Sequence, residues 1–306
     1  MDSTWECVVV GGGAAGLSAG LVLGRARRRA LIVDAGSPSN LPAHGIGGLL
    51  GHDGRPPADL YARGRDELAA YPTVEVRQGE VVAGEATDDG FTLRLADGGH
   101  LATRRVLLAT GMDYRRPDLP GLAELWGTTV FHCPFCHGWE VRDRPLAVLD
   151  PGPTGVHRAQ LLRGWSDDVV LLTDGPATLE DADRARLRTA GVTIDERPVT
   201  GLVSNDGALS AIEFAEGPPA AREGLLVAAT LHQRSPLAST LGVTTAPPSP
   251  VVADGVAVDG MHRTNVPGVF AAGDLGSAMP QIASAISAGS MAAAAVVGDL
   301  LVGGLG

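Results

Sequence analysis

Apolar positions in this chain gather into short continuous runs separated by glycine, proline and aspartate, a pattern of strands buried on both faces. Trp5–Val10 is the first such run and predicts a buried parallel strand. Gly11-Gly12-Gly13-Ala14-Ala15-Gly16 follows at once, then a helix-like stretch over 17–28, then a second strand over 30–33 that ends in Asp34. Val74–Gln78, 91–95 and 100–103 predict short strands, with turns at Asp88-Asp89-Gly90 and Asp97-Gly98-Gly99. A further buried strand runs over 106–109 into the turn Thr110-Gly111, and the Gly- and Pro-rich 44–59 predicts a loop.

Pro117, Pro120 and Gly121 mark a boundary, beyond which a second βαβ pattern begins. Leu146–Leu149 and Val169–Leu172 are its strands, 187–194 leads to a third, and it ends near 225–230. After a Pro-rich 247–250 the chain returns to an apolar run over 266–274 and a long small-residue helix from about Gln281. The expected class is α/β with two doubly wound Rossmann-like domains. The first, 1–114 and 232–306, is split around an insert at 115–231.

Composition narrows the picture. At 306 residues and 44% hydrophobic, the chain is long enough for two nucleotide-sized domains. A net charge of -11 with scattered arginines leaves no footprint for nucleic acid. There is no lysine, which excludes Schiff-base chemistry and a P-loop lysine. Residues 1–3 run into the first strand without a basic region or cleavage site, and Ile282–Val302 is interrupted by Asp299 and glycines. No membrane span and a cytoplasmic location are therefore expected.

Two motifs carry candidate chemistry. Gly11, Gly13 and Gly16 form Gly-x-Gly-x-x-Gly between a strand and a helix, with Asp34 18 positions after the last glycine. Gly11 turns tightly, Gly13 lets a pyrophosphate approach the helix end, Gly16 permits close helix–strand packing, and Asp34 accepts bonds from a ribose. The second motif is Cys133-Pro134-Phe135-Cys136-His137-Gly138-Trp139-Glu140. Three cysteines do not make a structural framework in a reducing compartment, so the close pair predicts thiol–disulfide exchange, while Cys7 in the first strand reads as core.

A thiol near its free pKa is mostly protonated at neutral pH, and His137 is the candidate base. Glu140 either orients His137 or is a solvated charge at a helix end. Nothing fixes the direction of His132. Phe135 and Trp139 read equally as a substrate wall or as core. Cys-x-x-Cys-His is also the c-type haem pattern, but no export signal accompanies it. His132, Cys133, Cys136 and His137 are too crowded for a tetrahedral zinc site, so no metal is expected.

Together the Gly11–Gly16 fingerprint, Ala109-Thr110-Gly111, the Cys-x-x-Cys in the inserted domain and Gly273-Asp274 before a final helix resemble the low-molecular-weight thioredoxin reductase family. The resemblance covers nearly the whole chain and implies FAD and a homodimer. It implies cofactor contacts at Gly11, Gly13, Ala14, Ala15, Gly16, Asp34, Ala35, Val81, Thr110, Gly111 and Gly273. It also implies that Asp274 holds the ribityl chain, that Gln281 and Ile282 lie by the flavin ring, that Asn40 and His44 belong to a loop wrapped over the flavin, and that Cys136 is the flavin-proximal sulfur.

Two departures from the reductase pattern bear on function. Where reductases place a second glycine fingerprint for NADPH, this chain has Asp150-Pro151-Gly152-Pro153-Thr154-Gly155, with a carboxylate for the first glycine and two prolines that lack N–H donors. Where they carry an arginine cluster for the 2′-phosphate, it has Leu172-Thr173-Asp174-Gly175. NADPH binding is therefore expected to be lost or weak. The second departure, His137 after the second cysteine, then Trp139-Glu140, looks like the FAD-dependent dithiol oxidases of the gliotoxin and holomycin type. That likeness implies a small-molecule dithiol as substrate, oxygen as acceptor and hydrogen peroxide as product. A protein-disulfide reductase fed by NADPH or another reductant is the alternative.

Overall fold

The computed structural model describes residues 4–152 and 154–302; residues 1–3, 153 and 303–306, and with them the readings placed on the amino terminus and on Pro153, lie outside it. The chain divides into two compact units, one of 1–41, 57–115 and 230–306 and the other of 42–56 and 116–229.

The first unit opens with β1 (Trp5–Val10), α1 (Ala14–Arg25) and β2 (Ala30–Asp34), followed by α2 (Pro57–Leu68), β3 (Val74–Gln78), β4 (Val81–Thr87), β5 (Gly90–Leu95), β6 (His100–Leu108) and β7 (Met112–Arg115). Continuous burial over Cys7–Val10 and Ala30–Val33 matches their position inside a parallel sheet covered on both faces. The stretches 100–103 and 106–109, expected as two strands, are one strand, β6, with two burial regimes. Its first half alternates buried and exposed and pairs antiparallel with β5. Its second half is fully buried and pairs in parallel with a late strand.

α1 stops at Arg25, short of the expected 28, because Arg27 takes a left-handed φ of 59°. α2 begins inside the expected 44–59 loop. Only Pro57, Tyr61 and Leu68 of its side chains are buried, so its apolar period is faint.

The second unit contains α3 (Leu122–Leu125), β8 (Val130–Phe131), α4 (Pro134–His137), β9 (Leu146–Leu149), α5 (Thr154–Leu162), β10 (Val169–Leu172), α6 (Asp181–Thr189), β11 (Val192–Asp195), β12 (Val199–Asn205), β13 (Ala208–Phe214), β14 (Ala220–Ala221) and β15 (Gly224–Val227). Its parallel sheet runs β11-β10-β9-β15-β8, and β12, β13 and β14 form a separate antiparallel sheet. Residues 42–56, expected within the first domain, belong to this unit. The reason is local: Gly45 and Gly54 close the loop on itself, and Gly47 abuts the carbonyl of Cys136.

The chain re-enters the first unit through β16 (Thr230–Gln233), which pairs antiparallel with β7. Then come α7 (Leu237–Thr240), β17 (Val269–Ala271), a 3₁₀ turn at Gly273–Gly276 and α8 (Ile282–Val302). The order of the main sheet is β3-β2-β1-β6-β5-β4, with β17 along the second half of β6.

Contrary to the sequence expectation, α8 has the length and mean hydropathy, 1.5, to cross a membrane. Its apolarity has a local use: Ala292, Ala293, Ala295, Val296 and Leu300 are buried in a core shared with α1, and Asp299 is ion-paired to Arg105 on β6. A Cβ at Gly289 would lie 2.0 Å from the carbonyl of Ala15, and the Ser18 hydroxyl donates to the Ile286 carbonyl at 2.8 Å. Glycine is what lets the two helices approach this closely.

Candidate functional site

In the first unit, Gly11 holds a φ of +112° and its Cβ would collide with the Ala109 carbonyl at 2.2 Å, so the turn into α1 tolerates no side chain. A Cβ on Gly16 would lie 1.8 Å from the Gly11 carbonyl. Gly13 is the N-cap of α1, makes no side-chain cap bond, and has open space where a Cβ would be. The N–H groups of the first turn of α1 have no intrahelical partner. Open space above uncapped donors at a helix N-terminus suits a pyrophosphate.

Asp34 ends β2 beneath this turn. One carboxylate oxygen accepts the Gly12 N–H at 3.3 Å and the Gly36 N–H at 2.9 Å, and the other stands 3.9 Å from Arg65. Asn40 accepts the Tyr61 hydroxyl at 2.7 Å, which leaves its amide N–H groups available. Burial, outweighing the bond to Asn40, pushes the Tyr61 hydroxyl up to about 12. Gly273 has a φ of +76° and sits against Ala15, bringing the 3₁₀ turn with Asp274 to α1. Burial pushes the Asp274 carboxyl up, against the Tyr114 hydroxyl that donates to it at 2.9 Å and the charge of Arg234.

Gly11, Gly13, Ala14, Ala15, Gly16, Asp34, Ala35, Asn40, Thr110, Gly111, Gly273, Asp274, Gln281 and Ile282 all belong to the first unit. Val81 is in the same unit, but its side chain lies in the core. His44 is exposed in the second unit. Tyr61, Tyr114 and Arg234 are polar partners that sequence reasoning missed; no motif spacing announces them. The cradle's open helix end, its two carboxylates and its stock of N–H donors fit a flavin adenine dinucleotide.

In the second unit, Cys133 is the extended N-cap of α4 (φ -128°, ψ 111°) and Pro134 sits at N1, where its missing N–H costs nothing. The Cys133 carbonyl accepts the N–H groups of Cys136 at 3.2 Å and His137 at 3.3 Å, folding both sulfurs onto one turn. The Cys136 thiol donates to Cys133 and, with the N–H groups of Cys136 and Phe135, holds the Cys133 thiol below its ordinary value against burial. That same bond, burial, and the charges of Cys133 and Glu140 push Cys136 up. The pair therefore gives up its first proton at Cys133.

His137 is largely enclosed, with its ring stacked on Phe131 at 5.8 Å and neither ring nitrogen in a hydrogen bond. Burial holds its pKa below the ordinary value, against the opposing pull of Glu140 and the Gly127 and Cys133 carbonyls. It is thereby kept neutral at pH 7, a proton acceptor. Glu140 is exposed and makes no hydrogen bond to His137, which matches the solvated-charge reading of the two. His132 does have a fixed direction: it stacks on Trp126 at 5.6 Å. Burial, then the charges of His137 and Arg158, lower it to about 4. Phe135 and Trp139 are exposed, which removes the core reading for both.

The expected carboxylate facing outward at the second turn is corrected as well. Asp150 is buried and folded into its own turn, where it accepts the Gly152 N–H at 2.9 Å, the Thr154 hydroxyl at 2.8 Å and Arg158 at 2.8 Å. At the end of β10, Asp174 takes a left-handed φ of 54° and accepts the Val199 N–H at 2.7 Å. Arg158 carries no motif signal, although a carboxylate in place of a fingerprint glycine requires a cation near it.

Residues 5–292 match the pyridine nucleotide-disulphide oxidoreductase family. The chain is 31% identical over 309 residues to thioredoxin reductase tcpT of Claviceps purpurea, covering 96% of this chain and 95% of that protein. It is 32% identical over 307 residues to thioredoxin reductase aclD of Aspergillus oryzae, covering 97% and 96%. Among solved structures, HlmI superposes with a TM-score of 0.92 at 40% identity, covering 100% of this chain and 95% of that one. An oxidoreductase from Agrobacterium tumefaciens superposes with a TM-score of 0.92 at 30% identity, covering 98% and 99%. With its fingerprint turn, its paired cysteines and a match over nearly its whole length, the chain belongs to the pyridine nucleotide-disulphide oxidoreductase family, in its thioredoxin reductase-like branch, whose members imply FAD.

Proposed function

We propose that this protein is an FAD-dependent dithiol oxidase that closes an intramolecular disulfide in a small molecule, a dithiolopyrrolone of the holomycin type. The observation that carries this reading is the self-satisfied Asp150 turn. A nicotinamide dinucleotide needs the donors of such a turn for its pyrophosphate. Here a resident carboxylate has taken the Gly152 N–H, the Thr154 hydroxyl and the Arg158 guanidinium, and an incoming phosphate would meet a negative charge. Asp174 stands at the end of β10 where reductases grip a 2′-phosphate. With pyridine nucleotide excluded, electrons enter from a thiol substrate.

The chain's own residues perform the exchange. Starting from the Cys133–Cys136 disulfide, a substrate thiolate attacks Sγ of Cys133 and Cys136 leaves as a thiolate. The second substrate thiol, its proton accepted by neutral His137, displaces Cys133 and releases the cyclic disulfide. The substrate has lost two electrons and two protons, and the enzyme pair is now reduced. FAD, held by Gly11, Gly13, Gly16, Asp34, Asn40 and Asp274, would accept those two electrons and deliver them with two protons to oxygen, giving hydrogen peroxide. A cytoplasmic homodimer is part of the same proposal.

Anaerobic mixing of the FAD-loaded enzyme tests the direction of electron flow. Bleaching of flavin absorbance by a small dithiol, with none by NADPH, is expected; rapid bleaching by NADPH would reject the reading in favour of a reductase.

A further inference from the structure

Two carboxylates of the first unit, Asp34 at the end of β2 and Asp274 in the 3₁₀ turn, would take the two halves of an FAD, the ribose of its adenosine and the ribityl chain of its flavin. They come from distant segments, yet one side chain ties their supports together. Arg234, directly after β16, donates from Nε to the Met112 carbonyl at 2.9 Å and from Nη1 to the Ser37 carbonyl at 2.6 Å. Ser37 follows Gly36, whose N–H holds the Asp34 carboxylate at 2.9 Å. Met112 opens β7, and two residues on the Tyr114 hydroxyl donates to Asp274 at 2.9 Å. Every member of this chain of bonds lies in the first unit.

The attachments rest on fixed backbone. β16 pairs with β7, with Leu231 opposite Tyr114 and Gln233 opposite Met112. On the other edge of β16 the Leu231 N–H donates to the Val251 carbonyl at 2.8 Å, the Leu231 carbonyl accepts the Ala253 N–H at 2.9 Å, and the Gln233 N–H donates to the Asp254 carboxylate at 2.8 Å. Met112 is fully buried, and the turn that bears Asp274 is pinned where the Val256 N–H donates to the Leu275 carbonyl at 2.7 Å. A guanidinium offers its donors in a rigid planar fork, so two carbonyls bound to one fork keep a set separation. The Tyr61 hydroxyl gives an independent gauge: the charges of Asp274 and Asp34 both act on it, so the two carboxylates face one common point.

We infer that Arg234 is a positioning residue that fixes the span between Asp34 and Asp274, and that it thereby makes the site select an intact flavin adenine dinucleotide over either of its halves. The physical reason is effective concentration. Two half-ligands joined covalently bind far more tightly than either alone only where their subsites are held at the distance the joined molecule spans. Without the Arg234 strut each half still finds its own donors, while the joined ligand must order the frame as it binds. Tyr114 acts at one end only: it engages one oxygen of Asp274 and leaves the other to accept. The inference concerns capture of the cofactor, so it stands or falls separately from the direction in which electrons run.

The test titrates the full chain, stripped of FAD, with FAD and with its two halves, riboflavin and ADP, and reads each Kd by calorimetry. Arg234→Leu should raise the Kd for FAD about tenfold or more and leave those for ADP and riboflavin within about twofold of wild type. Tyr114→Phe should weaken FAD and riboflavin together, about fivefold, with ADP unchanged. Arg234 is exposed, so its replacement opens no cavity, and a Tm of the stripped variant equal to that of wild type verifies the frame. Equal weakening of all three ligands would make Arg234 a support of the fold alone. A loss for one half alongside FAD would place it at that end of the site, by its charge on phosphate in the case of ADP. An FAD affinity that Arg234→Leu leaves unchanged would mean that the span is set elsewhere. Each of these three results overturns the inference, as does Tyr114→Phe weakening ADP.

Discussion

Removing Arg158 tests whether the second turn is closed by its own carboxylate. Its side chain is 19% exposed and that of Asp150 5%, so the pair is shielded from solvent on both sides. Truncating one member of a buried pair leaves a charge stranded, at about 3–5 kcal/mol. Asp150 keeps the Gly152 N–H and the Thr154 hydroxyl, which places Arg158→Ala at the lower end, about 3 kcal/mol. Thr154→Val removes a single bond to a charged acceptor and should cost about 1.5–2 kcal/mol. Urea unfolding of the full chain measures both, and a double-mutant cycle of Asp150→Asn with Arg158→Leu should return a coupling of about 2 kcal/mol. Asp150→Gly removes the resident charge and should lower the Kd for ADP at least tenfold against wild type. An Arg158→Ala cost below about 1 kcal/mol, together with an ADP affinity that Asp150→Gly leaves where it was, would refute the reasoning: the carboxylate would then be solvated rather than locked, and something else would have to close the turn.

Three further outcomes are expected. His132 is held near 4 by burial, so the unfolded chain takes up a proton near 6.5 that the folded chain refuses. Its contribution to stability is complete above about 6.5 and is lost as pH falls towards 4, at about 1.4 kcal/mol per unit, and His132→Phe, which keeps the stack on Trp126, should flatten that slope in urea midpoints taken between pH 7 and 4. In the reduced enzyme iodoacetamide should label Cys133 well ahead of Cys136, with a rate that rises at a pH below the ordinary thiol range; mass spectrometry showing Cys136 labelled first would reverse the assignment of the pair. Gly289→Ala puts a methyl group 2.0 Å from the Ala15 carbonyl, so α8 must shift from α1 at a cost of about 1–3 kcal/mol, read as a fall of several degrees in Tm.

Much of the fold is legible because strands buried on both faces announce themselves as unbroken apolar runs; β9 and β10 begin and end where those runs do. β6 is not, because its sequence changes period midway, where a two-sided sheet takes over from a half-solvated hairpin. α2 is nearly silent, since three buried side chains in 12 residues leave little periodic signal. At the site, the glycines and cysteines are readable from spacing alone, because turn geometry and thiol exchange each admit few residue types. Their partners are not. Tyr114 reaches Asp274 across 160 positions of chain, and the Gly47 loop reaches Cys136 across 89, the difference between 136 and 47; only folding brings such pairs together. The inward rotation of Asp150 is likewise invisible until Arg158, about one turn into α5, comes into view.

The seating of Gly47 on Cys136 makes residues 42–56 a covalent leash. The chain passes between the two units at 41–42 and 56–57 as well as at 115–116 and 229–230, and Pro42, Pro56 and Pro57 stiffen the first two passages. Leu50 therefore belongs with the sulfurs, on a loop that the chain lends to their unit between proline-flanked joints.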